Sequence, residues 1–209
     1  MEEQIQPTPE SPTPSPVRRN ETWSFLVELI KTAVIVLVFA YLIRVFVLQP
    51  YIVDGTSMFP EFHNGDYLLV DKLTYRFEAP KRGDIIVFKY PKDTSFNYVK
   101  RIIGLPGDTI RIENSKVYVY DSANPNGAPL TEPYVLPGNT TLPDSGTGQS
   151  EFVVPANNYF VLGDNRMGSS DSRDWGDVPD SDVIGRVLVL AYPFDRISIY
   201  PHATYANVK

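Results

Sequence analysis

Three segments of the 209-residue chain carry side chains able to do chemistry. In the first, Asp54-Gly55-Thr56-Ser57-Met58-Phe59-Pro60, a serine follows a glycine by two positions. A glycine there lets the backbone turn sharply and leaves amide groups free to converge on one point, as an oxyanion hole requires. The second, Tyr98-Val99-Lys100-Arg101-Ile102-Ile103-Gly104-Leu105-Pro106-Gly107-Asp108, is a strand-like run that holds a lysine and ends in a turn. Strand alternation puts Lys100 on the face of Tyr98 and Ile102, and Arg101 on that of Val99 and Ile103. One cation is therefore expected to face in and the other out. The third segment is a polar loop running from Gly163-Asp164-Asn165-Arg166 to Trp175-Gly176, rich in side chains that bond nearby backbone.

A serine becomes a nucleophile when a neighbouring base takes its proton. The chain has no cysteine and two histidines, His63 in a hydrophilic turn six residues after Ser57 and His202 near the C-terminus. A histidine-based triad is not expected. Lysine can serve instead if apolar surroundings lower its pKa from ~10.4 towards ~8, at a cost of about 3 kcal/mol. Taken singly, each segment also fits a plain structural use: a turn serine, a lysine whose stem lies along a half-exposed strand, a rigid loop.

Without cysteine there is no disulfide framework, thiol nucleophile or cysteine-based metal site. Asp171, Asp174, Asp177, Asp180 and Asp182 gather near the third segment, but not at EF-hand spacing, and Arg166 and Arg173 compete for carboxylates. No metal or other cofactor is expected. The 25 acidic against 19 basic residues, net charge -6, argue against a nucleic-acid partner.

The elements that must position these segments follow from composition. Residues 1–22, rich in proline and poor in bulky apolar side chains, cannot offset the entropy of ordering and read as a disordered tail. Residues 23–48 read as a transmembrane helix. Its uncharged stretch between Lys31 and Arg44 covers twelve residues. At ~1.5 Å each that is about 18 Å against a ~30 Å hydrocarbon core, so the two flanking side chains must snorkel outward. Glu28 can pair with Lys31 one turn away. Residues 33–43 show no polar stripe, which speaks against the amphipathic helix of a soluble protein. Val38 and Ala40 have the spacing of a signal-peptide cleavage site but sit inside the apolar run, which favours an uncleaved anchor. Arg18, Arg19 and Lys31 precede the span's centre and Arg44 follows it, which places the N-terminus in the cytoplasm and the rest outside the cell membrane, a single-pass arrangement in contact with lipid.

Residues 49–209 contain short β-branched and aromatic runs between Gly, Pro, Asn and Asp turns, at 67–70, 85–90, 109–112, 116–120, 159–162, 187–191 and 197–200. They predict an all-β domain, with residues 121–149 as a loop-rich insertion. Ser57 lies nine residues after Leu48, so an extended link of ~3.3 Å per residue keeps it within about 30 Å of the bilayer. Asn20 and Asn139 each open an Asn-x-Thr triplet, which matters only in a glycosylating compartment.

Together and in this order, the three segments resemble the boxes of the type I signal peptidases, membrane-anchored serine proteases with a Ser/Lys dyad. The likeness runs from the apolar helix to about Phe194: Gly55 to Pro60 for the nucleophile box, Tyr98 to Asp108 for the lysine box, and Gly163-Asp164-Asn165-Arg166 with Ser169, Asp171, Ser172 and Arg173 for the third. The resemblance implies an antiparallel, barrel-like β catalytic domain acting on preproteins at Ala-x-Ala-like sites. It implies Ser57 as nucleophile, Lys100 as general base and Ser169 as a hydrogen-bonding partner that orients the lysine, with Asp171 and Arg173 bracing the loop. By the same resemblance Val53, Met58, Tyr98 and Val99 line the substrate pockets, and Asp54 and Gly55 pair with the substrate backbone. The chain departs from the family pattern at Gly55, where some members carry a hydroxyl that adds an oxyanion donor, and at Glu61, where threonine is frequent. Two other readings are a self-cleaving Ser/Lys protease of the repressor type, disfavoured by the apolar helix, and a membrane-anchored non-catalytic β module, disfavoured by the presence of both Ser57 and Lys100.

Overall fold

The computed structural model describes residues 21–144, 146–202 and 205. The expected tail, apart from its last two residues, and Asn20 lie outside the described residues. The chain divides into two compact units, one up to Leu42 and one from Ile43 onward. The first consists of most of α1 (Glu21–Phe46), in which Thr22–Leu42 is long and apolar enough to cross a membrane, with mean hydropathy 2.3. The helix begins two residues before the expected 23 and ends two before the expected 48, because Leu48 already belongs to a strand.

The second unit is built from β1 (Leu48–Ile52), β2 (Tyr67–Asp71), β3 (Ile85–Lys89), β4 (Asn97–Gly104), β5 (Thr109–Glu113), β6 (Lys116–Tyr120), β7 (Ala128–Pro129), β8 (Glu151–Val153) and β9 (Asn158–Leu162). After β9 come the one-turn helix α2 (Ser172–Trp175), β10 (Val178–Pro179), β11 (Val183–Tyr192) and β12 (Ser198–Ile199). All strand pairs are antiparallel. One sheet runs β1-β2-β11-β3-β4-β9-β10 with β12 beside β11, and the other runs β7-β6-β5-β8. The all-β expectation holds; the strands form two open sheets rather than a closed barrel.

Pro50 sits within β1, which pairs with β2 alone, so the missing N–H faces no partner strand. Central strands read differently. Ile85, Ile86, Val87 and Phe88 of β3 are all buried, the unbroken apolar run expected of a strand covered on both faces. Full burial of each such side chain contributes about 1.5–3 kcal/mol. Met58, Phe62, Leu68, Val70, Val187 and Leu190 form the core beneath β1, β2 and β11, while Ile86, Phe88, Ile102, Val161 and Trp175 fill the one beside β3, β4 and β9.

Candidate active site

The end of β1 and the first half of β4 face each other across a cleft of about 390 Å³. Val53, Asp54, Gly55, Tyr98 and Val99 line it, together with Ser57 and Lys100. Met58 does not line it. Hydrogen bonds from Phe59 N to Thr56 O and from Phe62 N to Met58 O wind the segment into a tight turn, and Met58 is 1% exposed in the core with Val53, Phe62 and Leu68. Sequence reasoning missed Tyr51, Ile52, Phe96 and, from the third segment, Ser170, which also line the cleft. Strand alternation from Lys100 through Tyr98 could have found Phe96.

Gly55 has φ +102, a conformation that only glycine adopts without strain, and this starts the turn carrying Ser57. Its N–H is not free, since it donates to Asn64 Oδ1 at 2.8 Å. Among the described residues, the Ser57 N–H has no acceptor.

Lys100 Nζ lies 2.8 Å from Ser57 Oγ and donates to Val99 O at 3.1 Å. It also stands 5.3 Å from the centre of the Tyr98 ring, which is stacked on Tyr90 and backed through Tyr90 by Trp175. Only 4% of Lys100 is exposed. Burial lowers its pKa to about 8, against the opposing pull of Asp171 and Asp164. Desolvation wins because neither carboxylate is bonded to the amine.

Arg101 does occupy the opposite face of β4, but that face is covered too. Asp164, which is fully buried, receives two bonds from it, from Nε at 2.8 Å and from the guanidinium tip at 2.6 Å, and the ring of Tyr134 lies 3.9 Å from the guanidinium centre. Glu61 adds a looser contact at 3.6 Å. The expectation of one cation in and one out is thus corrected: β4 is sandwiched, and each face supplies its own means of handling charge.

Asp171 caps α2 and gathers bonds from Arg173 Nε and Nη2 at 2.7 and 2.8 Å and from Gly163 N at 3.1 Å, closing the third segment on itself. Asn165 joins that loop to the nucleophile, donating from its backbone to Ser57 O at 3.0 Å and from its side chain to Thr56 O at 3.1 Å. Among the described residues the buried Ser169 hydroxyl has no hydrogen-bond partner, and the lysine's second bond goes to Val99 O. The hydroxyl fills the space where a side chain on Gly163 would stand, so it is packed against backbone.

Of the acidic residues after it, Asp171 is paired with Arg173 and Asp180 accepts from the Tyr159 hydroxyl, while burial raises the pKa of Asp177 to about 6. Of the histidines, His202 bonds Asp84 at 2.8 Å and His63 packs edge-on to Phe59.

A serine hydroxyl 2.8 Å from a buried amine of lowered pKa, both lining a strand-bounded cleft, is a pairing able to support nucleophilic catalysis. Comparison with known proteins identifies the family. Residues 26–192 match the family model described as signal peptidase, peptidase S26, and the chain belongs to that family. It is 38% identical over 194 residues to the probable signal peptidase I-1 of a Synechocystis species, covering 89% of each chain. It is also 38% identical over 200 residues to signal peptidase I of Leptolyngbya laminosa, covering 91% of this chain and 92% of the relative. A crystal structure of a signal peptidase I from Enterococcus faecalis matches 53% of this chain and 97% of its own at 34% identity, with a TM-score of 0.42.

Proposed function

We propose that this chain removes signal peptides from exported preproteins, binding the segment before the cut as an extended strand between β1 and β4. The observation that carries the reading is the 2.8 Å contact between Ser57 Oγ and a buried amine whose pKa is lowered to about 8.

Neutral Lys100 accepts the Ser57 proton as Oγ attacks the scissile carbonyl carbon. The resulting oxyanion is met by the Ser57 N–H. Collapse of the tetrahedral intermediate breaks the C–N bond, and protonated Lys100 returns the proton to the leaving amine. Water, deprotonated by the same lysine, then hydrolyses the acyl-enzyme. Ser169 offers its unpartnered hydroxyl to the remaining N–H of the amine, a bond that forms as the site tightens around substrate. Val53, Tyr98 and Val99 bound pockets suited to small side chains, while main-chain groups at Asp54 and Gly55 pair with the substrate strand. With the Gly55 N–H committed to Asn64, pairing there falls to its carbonyl.

α1 anchors the enzyme in the cell membrane with its N-terminus in the cytoplasm and the catalytic domain outside. The deciding experiment is cleavage of an Ala-x-Ala preprotein in detergent by the parent chain and by Ser57→Ala and Lys100→Met. Cleavage by the parent alone supports the reading. Activity in Lys100→Met overturns the mechanism, and none in a folded parent favours the non-catalytic module.

A further inference from the structure

The insertion 121–149 is bound to the catalytic loop at several points. Glu132 makes a two-pronged ion pair with Arg166, one contact of which is 2.9 Å, and Thr141 Oγ1 accepts from the same guanidinium at 2.7 Å. Asn139 accepts from Met167 N at 3.0 Å, and Leu142 O accepts from Arg173 at 3.2 Å.

Arg166 is 1% exposed, so its charge needs a bonded counter-charge. Asp164 is already committed to Arg101, and among the described residues Glu132 is the carboxylate bonded to Arg166. Arg166 Nε in turn donates to Gly163 O at 3.1 Å. Ser57 O and Ser169 Oγ pack against Gly163, and Asn165, between Asp164 and Arg166, bonds Ser57 O. A continuous path of bonds and contacts therefore leads from Glu132 to the nucleophile's own peptide.

We infer that Glu132 is a positioning residue for the reaction: through Arg166 it holds the 163–169 loop against Ser57 and keeps water from Lys100. This rests on the Ser57/Lys100 reading above. The groups around the lysine are the Ser57 hydroxyl, the Tyr98 ring, and the carboxylates of Asp171 and Asp164, both within or next to the braced loop. Loosening the loop admits water beside the amine, and because desolvation is the larger influence on it, the amine reverts towards an ordinary lysine.

The test compares the full-length parent in detergent with Glu132→Gln, Glu132→Asp and Thr141→Val. It measures cleavage of an Ala-x-Ala peptide and acylation of Ser57 by p-nitrophenyl acetate, each across pH. For Glu132→Gln the expected result is a kcat ~10–100-fold lower, as for a misplacement of about 1 Å, with KM within about threefold because β1 and β4 are untouched. The acidic limb of kcat moves to higher pH, and Glu132→Asp, which keeps the charge, recovers part of both effects. A folded Glu132→Gln with parental kcat and limb overturns the inference. So does a loss that tracks the folded fraction while the limb stays in place. If Glu132→Gln does not fold, Thr141→Val decides: a severalfold lower kcat with the limb moved the same way supports the brace, and parental values overturn it. A parent that is acylated by the ester but leaves the peptide intact sinks the signal-peptide reading alone, and the ester rates then judge Glu132. A parent inert to both sinks both.

Discussion

Lys100 Nζ and Ser57 Oγ meet at 2.8 Å although 43 residues separate them in the chain. The lysine arrives on a central strand and the serine on a glycine-initiated turn, and the third segment ties the turn down through Asn165. The pair can exchange a proton without either side chain moving far, and four predictions follow from how it is held.

In the proposed mechanism Lys100 acts as base only when neutral, and its pKa is lowered to about 8. The kcat for peptide cleavage should therefore rise about tenfold per pH unit below that value and level off above it. A rate-against-pH profile with its acidic limb near pH 6, or with an acid optimum, would remove Lys100 from the role of base.

Burying the lysine also costs stability. Below about pH 8 the folded and unfolded chains are both protonated, so the folded form bears the full penalty of a desolvated charge. Between there and the ordinary lysine value of ~10.4 the folded form is neutral and the penalty shrinks; above it the penalty is gone. Lys100→Met should abolish cleavage yet stabilise the fold by roughly 2 kcal/mol at pH 6.5, a gain that fades towards pH 10.5. Thermal melts at several pH values check this, and a pH-independent difference would contradict it.

Gly163 sits where a side chain would meet the Ser57 carbonyl oxygen and the Ser169 hydroxyl. The carbonyl is backbone and cannot yield without carrying Ser57 with it. Gly163→Ala should lower kcat by ~100-fold or more while costing about 1–3 kcal/mol of stability, in line with overpacking elsewhere. Parental kcat in this variant would show that the loop and the serine turn are not in register as described.

Among the described residues, Asp164→Asn leaves the buried Arg101 guanidinium with only the 3.6 Å contact to Glu61 as a carboxylate partner. Breaking a buried pair from one side costs about 3–5 kcal/mol. Urea unfolding of the full chain in detergent should show a loss of that size at pH 7. Because Asp164 also raises the Lys100 pKa, the surviving activity should have its acidic limb shifted to lower pH. A variant as stable as the parent would mean the pair contributes little.

Much of the site was legible before any fold was known. The serine turn, the lysine strand and the polar loop each carry local signals: a glycine needed at φ +102, period-two alternation, and side chains that bond their own backbone. Met58 was misplaced because its direction depends on the turn's hydrogen bonds at Thr56 and Met58, which residue type does not reveal. β1 was missed as a strand because Pro50 and the preceding apolar run mask it, and only its edge position makes proline acceptable. Glu132 could not be found at all. It stands 34 residues from Arg166 in a stretch whose composition reads as plain loop.

The sequence by itself determined the reactive groups, the antiparallel β character and the apolar helix, since these rest on residue chemistry and on periodicities a few residues long. Tertiary structure decided how each buried charge is settled. Lys100 has its pKa lowered to about 8 by desolvation, Arg101 is paired with Asp164 and Arg166 is paired with Glu132. Strand alternation can assign neighbouring cations to opposite faces, but whether a face is wet, dry or supplied with a carboxylate depends on distant segments that only folding brings together.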